Sequence, residues 1–331
     1  FLLSACAPAA TPAPVETEEI AEPTEVPTEL PAPTIEPTAE PTEVPEPTEV
    51  PTAEPMVFTD DLGRTIELDE YPQAIVSLSP SITEILFAVG AGDQVVGRDD
   101  FSVNPEEALD IASVGSMWGD LPTEAILALE PDLVIVAQIV SEDQVTALED
   151  LGLNIYWQAN PDDFAGLYEN LQDIAALTNH EAEADTLVAS LDARVKAVEE
   201  KVATVENTPS VFYELDASDP SNPWTTGSGT FIDYIITLAG GVNAAAALEG
   251  DYAQISSEAL ITVNPDIILL ADALYGMTAE SVAERAGWDA MAAVQNDAIY
   301  PIDPGTMSAP SPRLVDGLEE VARLLHPELF E

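Results

Sequence analysis

Two aromatic residues occupy matched places in the chain: Trp118 lies six residues before Glu124, and Tyr252 lies six residues before Glu258. Large rings offer contact area at low entropic cost, which suits gripping a wide, flat, mostly apolar ligand. The other reading of each ring is a cap on the core of its own half. Glu124 and Glu258 also fit as acids in the first turn of a helix, where a negative charge is worth ~0.3 to 1 kcal/mol. Catalytic arrangements are missing. The chain has no Gly-x-Ser-x-Gly elbow, no Gly-x-x-x-x-Gly-Lys loop and no His-Glu-x-x-His pair, and Gly90-x-Gly92 lacks the third glycine of a dinucleotide fingerprint. The only histidines, His180 and His326, stand far apart at the ends of helical stretches, which disfavours capture of a bare metal ion. The expected chemistry is recognition, with no cofactor and no enzyme activity.

The elements that must position these residues repeat. Residues 121–137, from Leu-Pro-Thr-Glu-Ala to Leu-Val-Ile-Val-Ala, align without a gap on residues 255–271, from Ile-Ser-Ser-Glu-Ala to Ile-Ile-Leu-Leu-Ala. Each copy reads as a helix, a Pro-Asp turn and a buried strand, and the identical Glu, Ala, Pro, Asp and final Ala argue for two related lobes. Loops before the two helices would present Trp118 and Tyr252 from opposite sides of a cleft between the lobes. Before the first copy, alternating runs around Gly63 predict a hairpin. Residues 74–78 predict a buried strand, and Ser81-x-x-Glu84 matches a capping box. Residues 182–206 keep apolar residues at helical spacing without Gly or Pro, a helix of ~35 Å that could bridge two lobes. The predicted architecture is α/β: two parallel-sheet lobes, residues 56–181 and 207–331, joined by that helix.

Composition sets what can surround this body. Eight Lys and Arg against 62 Asp and Glu give a net charge of −54, which repels phosphate backbones and excludes nucleic acid as a partner. Residues 7–55 cycle through Pro-Thr-Glu and Glu-Val-Pro units and predict a disordered tether reaching up to ~150 Å at ~3.1 Å per residue. Ahead of it, Leu3-Ser4-Ala5-Cys6 ends an apolar stretch. Residues 1–6 read as a signal-peptide remnant resembling the bacterial lipoprotein box, with Cys6 as the lipidated residue that anchors the protein outside the cytoplasm.

From about residue 57 to 330 the chain resembles the ABC-importer binding proteins whose lobes are joined by one long helix, a family that carries vitamin B12, ferric siderophores and haem. The specific stretches are Ile75-Val76-Ser77-Leu78-Ser79-Pro80-Ser81-x-x-Glu84, Thr226-Gly227-x-Gly229-Thr230-Phe231-Ile232-Asp233 and Ser311-Pro312-Arg313-Leu314. The resemblance implies that Trp118 and Tyr252 are cleft aromatics, with Phe101 and Trp224 as further ones. It implies that Glu124 and Glu258 dock, one per lobe, on the two subunits of an ABC permease, which their repeat symmetry also fits. Its motifs lie nearest those of vitamin B12 binders and favour a corrinoid. The loop 303–309, where such binders carry polar and aromatic contacts, offers only Asp303, Thr306 and Met307, so another metal chelate, a ferric siderophore or haem, stays open. Arg98 is the one basic residue expected near the first-lobe face, and Arg313 is expected to anchor its own helix. From another class, the alternative is a structural surface lipoprotein, which no ligand would stabilise.

Overall fold

The computed structural model describes residues 55–117 and 121–330; Cys6, the Pro/Thr/Glu stretch and Trp118 lie outside them. The described chain opens on the expected hairpin, β1 (Met56–Thr59) paired antiparallel with β2 (Thr65–Leu68). Ile66 and Leu68 point inward, as alternation requires. Then the period changes. Strands β3 (Ile75–Ser77), β4 (Val95–Asp99), β5 (Ala112–Gly115), β6 (Leu133–Ala137) and β7 (Ile155–Gln158) form a parallel sheet in the order β5-β4-β3-β6-β7. Helices α1 (Pro80–Ala88), α2 (Thr123–Leu127), α3 (Glu142–Glu149) and α4 (Phe164–Thr178) complete this lobe. Every residue of β6 is buried, the mark of a central strand covered on both faces.

Helix α5 (Glu181–Val202) follows, 22 residues or ~33 Å long, close to the predicted bridge. Beyond it the second lobe runs β8 (Ser210–Glu214), β9 (Trp224–Thr226), α6 (Phe231–Leu238), β10 (Val242–Asn243), β11 (Tyr252–Gln254), α7 (Ser257–Val263) and β12 (Ile267–Leu270). It closes with α8 (Ala279–Ala283), α9 (Ala292–Gln295), β13 (Ile299–Pro301), α10 (Gly305–Ser308) and α11 (Leu314–Leu325). Its parallel sheet has the order β10-β8-β12-β13, while β9 and β11 form a separate antiparallel ribbon.

The repeat seen in the sequence is a repeat of topology. Setting β8 on β3, β10 on β4, β12 on β6 and β13 on β7 superposes the two strand orders, with β5 as an extra edge in the first lobe. The Pro-Asp turn does the same work in each copy. Asp132 Oδ2 accepts the N–H groups of Gln73 at 2.7 Å and Ala74 at 2.9 Å just before β3. Asp266 Oδ2 accepts the Ser210 N–H at 2.8 Å and its hydroxyl at 2.9 Å at the start of β8. Each aspartate thereby fixes the register of two neighbouring central strands.

The lobes share one hydrophobic core, which runs from Ile75 and Leu133 through Leu191, Val195 and Val198 of α5 to Val211 and Leu269. Two contacts pin them further. On one side the ring of Phe164 in α4 meets Phe231 of α6 edge-on, with centroids 5.4 Å apart. On the other, Glu84 of α1 accepts the Ser311 hydroxyl and Arg313 Nη1 at 3.0 Å, and Arg313 Nη2 reaches Asp303 at 2.5 Å. This corrects two expectations. Proline favours the first helical position, so α1 starts at Pro80 with Ser79 as its N-cap, and Ser81 and Glu84 form no capping box. Arg313 sits at the N-cap position of α11, yet its guanidinium holds the other lobe instead of its own helix.

Candidate functional site

A crevice opens between the lobes at the carboxyl ends of both parallel sheets, the general location of sites in doubly wound folds. Gln138, Asn160, Pro161 and Asp162 line it from the loops after β6 and β7; Asp251, Tyr252, Met307 and Ser308 line it from the second lobe. The crevice volume is about 170 Å³, small for a wide ligand, which would extend across its open mouth.

The turn that positions Tyr252 depends on two glycines. A Cβ on Gly227 would fall 2.3 Å from the Gly250 carbonyl oxygen, so only glycine lets these loops approach. Gly229 takes φ 85, left-handed backbone that a side chain disfavours. Around them Asn243 Nδ2 donates to the carbonyls of Thr226 at 3.1 Å and Gly227 at 3.2 Å, and to Asp233 Oδ1 at 3.0 Å. Thr230 caps α6 by accepting the Asp233 N–H at 3.1 Å. The Thr-Gly-x-Gly-Thr motif is thus a scaffold that holds Asp251 and Tyr252 at the crevice.

Tyr252 is 52% exposed and Trp224 42%. In the ribbon, Tyr252 pairs with Thr226 and Trp224 with Gln254, which puts the two rings diagonally on one face. The Tyr252 phenol is pushed above its ordinary pKa, first by burial around the hydroxyl and second by the Asp251 carboxylate. It remains a neutral hydrogen-bonding group at any physiological pH. Met307 is closed to solvent and forms crevice floor.

Phe101 lies in the first lobe at the end of β4, 53% exposed, and is not part of the crevice lining. A buried polar chain sets its loop: Thr83 Oγ1 lies 2.7 Å from Ser77 Oγ and 2.9 Å from Ser102 Oγ, sharing its one proton between them, and the Ser102 hydroxyl donates to Asp99. Asp99 in turn accepts the Phe101 N–H at 3.1 Å, and burial holds its carboxyl above the usual range. Arg98 is no ligand group; it is buried and donates to the carbonyls of Ala108 at 2.8 Å and Asp99 at 2.9 Å.

Glu124 and Glu258 stand exposed in the first turns of α2 and α7, away from the crevice lining, with Ile126 and Leu260 buried two positions on in both copies. His180 precedes α5 and His326 ends α11, and no group of three or more metal-ligating side chains exists among the described residues. No helix among them is long and apolar enough to cross a membrane.

Sequence reasoning overlooked the polar lining, Gln138, Asn160, Asp162, Asp251 and Ser308, because it comes from separate loops without periodicity.

Comparison with known proteins places this geometry. A family model described as periplasmic binding protein matches residues 75–306. An uncharacterized ABC transporter substrate-binding lipoprotein, YvrC of Bacillus subtilis (strain 168), is 33% identical over 277 residues, covering 82% of this chain and 86% of the relative. A cobalamin-binding protein of Halobacterium salinarum is 27% identical over 274 residues, 81% of this chain and 73% of the relative. Among solved structures, the periplasmic heme-binding protein RhuT from Roseiflexus sp. RS-1 in apo form matches with a TM-score of 0.70 at 25% identity, covering 78% of this chain and 99% of that one.

Proposed function

The chain belongs to the periplasmic binding protein family, and from that premise we propose that it captures a corrinoid-like metal chelate in the crevice between its lobes and delivers it to an ABC permease. The observation that carries the ligand reading is a crevice lined from both lobes, with the exposed ring of Tyr252 in its lining and that of Trp224 on the same face of the ribbon. The aromatic face of the ribbon supports stacking on a broad ring system. Haem binding through a tyrosine ligand is the second reading, favoured by the exposure of Tyr252.

Glu124 and Glu258 are the docking groups in this account, each meeting a basic residue on one permease subunit. Cys6 carries the lipid, and residues 7–55 let the body reach outward from the membrane. Tyr252 and Met307 act as second-lobe contacts from the lining; Phe101 and Trp224, outside the lining, and Trp118 are the further contacts for a ligand that extends across the open mouth.

The test is a titration of cobalamin, cobinamide, haem and a ferric siderophore, followed by calorimetry and intrinsic tryptophan fluorescence. A corrinoid is expected to bind, and Tyr252→Ala to weaken it by about 1 to 3 kcal/mol with an unchanged melting temperature. A sharp fall in melting temperature at constant affinity would make Tyr252 a core residue. Failure of all four ligands to bind would favour a structural surface protein.

A further inference from the structure

Resting on the corrinoid reading of the crevice, we propose that it selects its chelate by charge: edges that carry amides are accepted, edges that carry carboxylates are rejected, and Asp162 and Asp251 are the discriminating residues. The chain has eight Lys and Arg, and no basic side chain lines the crevice. Those nearest the strand ends are already neutralised or confined. Arg98 is buried against two carbonyls, Arg285 is held by Glu214, and Arg313 lies between two carboxylates, Glu84 and Asp303. The remaining five sit elsewhere: Arg64 on the β1–β2 hairpin side, Arg194, Lys196 and Lys201 on α5, and Arg323 on α11. A bound carboxylate would meet no counter-charge.

Carboxylates stand there instead. Asp162 reaches the crevice from the first lobe and Asp251 from the second, both exposed. Among the described residues neither side-chain carboxylate has a hydrogen-bond or ion-pair partner; Asp251 is engaged through its backbone carbonyl, which accepts the Gly227 N–H at 2.9 Å and the Thr226 hydroxyl at 3.3 Å. Between them lie amides. Gln138 Oε1 accepts the Asn160 N–H at 2.8 Å, which leaves the Gln138 NH₂ and the Asn160 side chain to face a ligand. Two free acceptors and two amides complement a rim of carboxamides, which donate and accept, and oppose a rim of carboxylates, which only accept. Like charges facing each other across a small gap discriminate more strongly than attraction does, because the wrong partner keeps a penalty it cannot relax.

The experiment uses two probes with one corrin ring, dicyanocobinamide with amide edges and dicyanocobyrinic acid with carboxylate edges, titrated against the full chain by calorimetry at physiological ionic strength. The carboxylate form is expected to bind at least about thirtyfold more weakly, ~2 kcal/mol. In the double variant Asp162→Asn, Asp251→Asn the ratio of the two constants should fall below about fivefold. Equal affinity for the two probes, or a gap that the double variant leaves unchanged, overturns the charge rule while the corrinoid reading stands. Binding of neither probe overturns the corrinoid reading and this proposal with it.

Discussion

Replacing Arg285 by alanine is expected to destabilise the folded chain by about 3–5 kcal/mol at neutral pH, because it strands a buried carboxylate. The guanidinium meets Glu214 through both arms, at 2.5 and 2.8 Å, with the two side chains only 8% and 0% exposed. It also lies 4.5 Å from the ring centroid of Trp288, a fully buried residue whose indole N–H donates to Ser257 at 2.5 Å. Asp272 and Asp216 stand near enough to oppose the Glu214 charge. The pH dependence has a definite sign. Burial raises the Glu214 pKa above its ordinary value even against the pull of Arg285. A raised carboxyl contributes stability that is full below its unfolded pKa of about 4.3 and is lost as pH rises through the folded value. Without Arg285 the folded value climbs further, so the deficit should be largest at pH 7 and shrink towards pH 4. Urea unfolding of the two proteins at both pH values measures this. Equal midpoints at pH 7 would show that Glu214 finds another partner or water. Replacing both residues by leucine should cost far less than the single change.

The second large effect concerns delivery. If Glu124 and Glu258 dock as proposed, reversing both, Glu124→Lys with Glu258→Lys, is expected to abolish most transport into permease-containing vesicles, while ligand affinity in solution stays within about threefold, ~0.6 kcal/mol. Each glutamate is exposed at the start of an equivalent helix and neither lines the crevice. Either single reversal should cost less than both, and added salt should weaken docking of the native protein, since exposed charges are screened within ~8 Å at physiological ionic strength. Full transport by the double variant would remove both residues from the interface, and lost ligand binding would move them into the site.

Much of this architecture was legible because it rests on periodicity. Continuous apolar runs gave the central strands, the long Gly-free helical stretch gave α5, and the Pro-Asp repeat pointed to β6 and β12 as equivalents, which the two strand orders bear out. What escaped depends on distance in the chain. Glu84 carries the local spacing of a capping box, yet its partners Ser311 and Arg313 are 227 and 229 positions away. No local pattern separates the two uses of such a glutamate; here Pro80 starts the helix early enough to decide it. The crevice behaves alike: Tyr252 and Met307 were named from sequence and line it, whereas Asp162 and Asp251 come from loops whose meeting only the packing of the lobes creates. Phe101, named beside them, lies outside that lining at the end of β4.

The shared core and the two pins between the lobes leave little room for a wide hinge, so a ligand captured as proposed is expected to enter a crevice already formed. Amide hydrogen exchange with and without dicyanocobinamide tests that most directly. Added ligand is expected to slow exchange on both sides of the crevice together, in the loops after β6 and β7 and in residues 227–232, 250–254 and 305–310, with α5 unchanged. Protection confined to one lobe, or spread through α5 as the lobes rotate, would contradict capture in a preformed crevice between them.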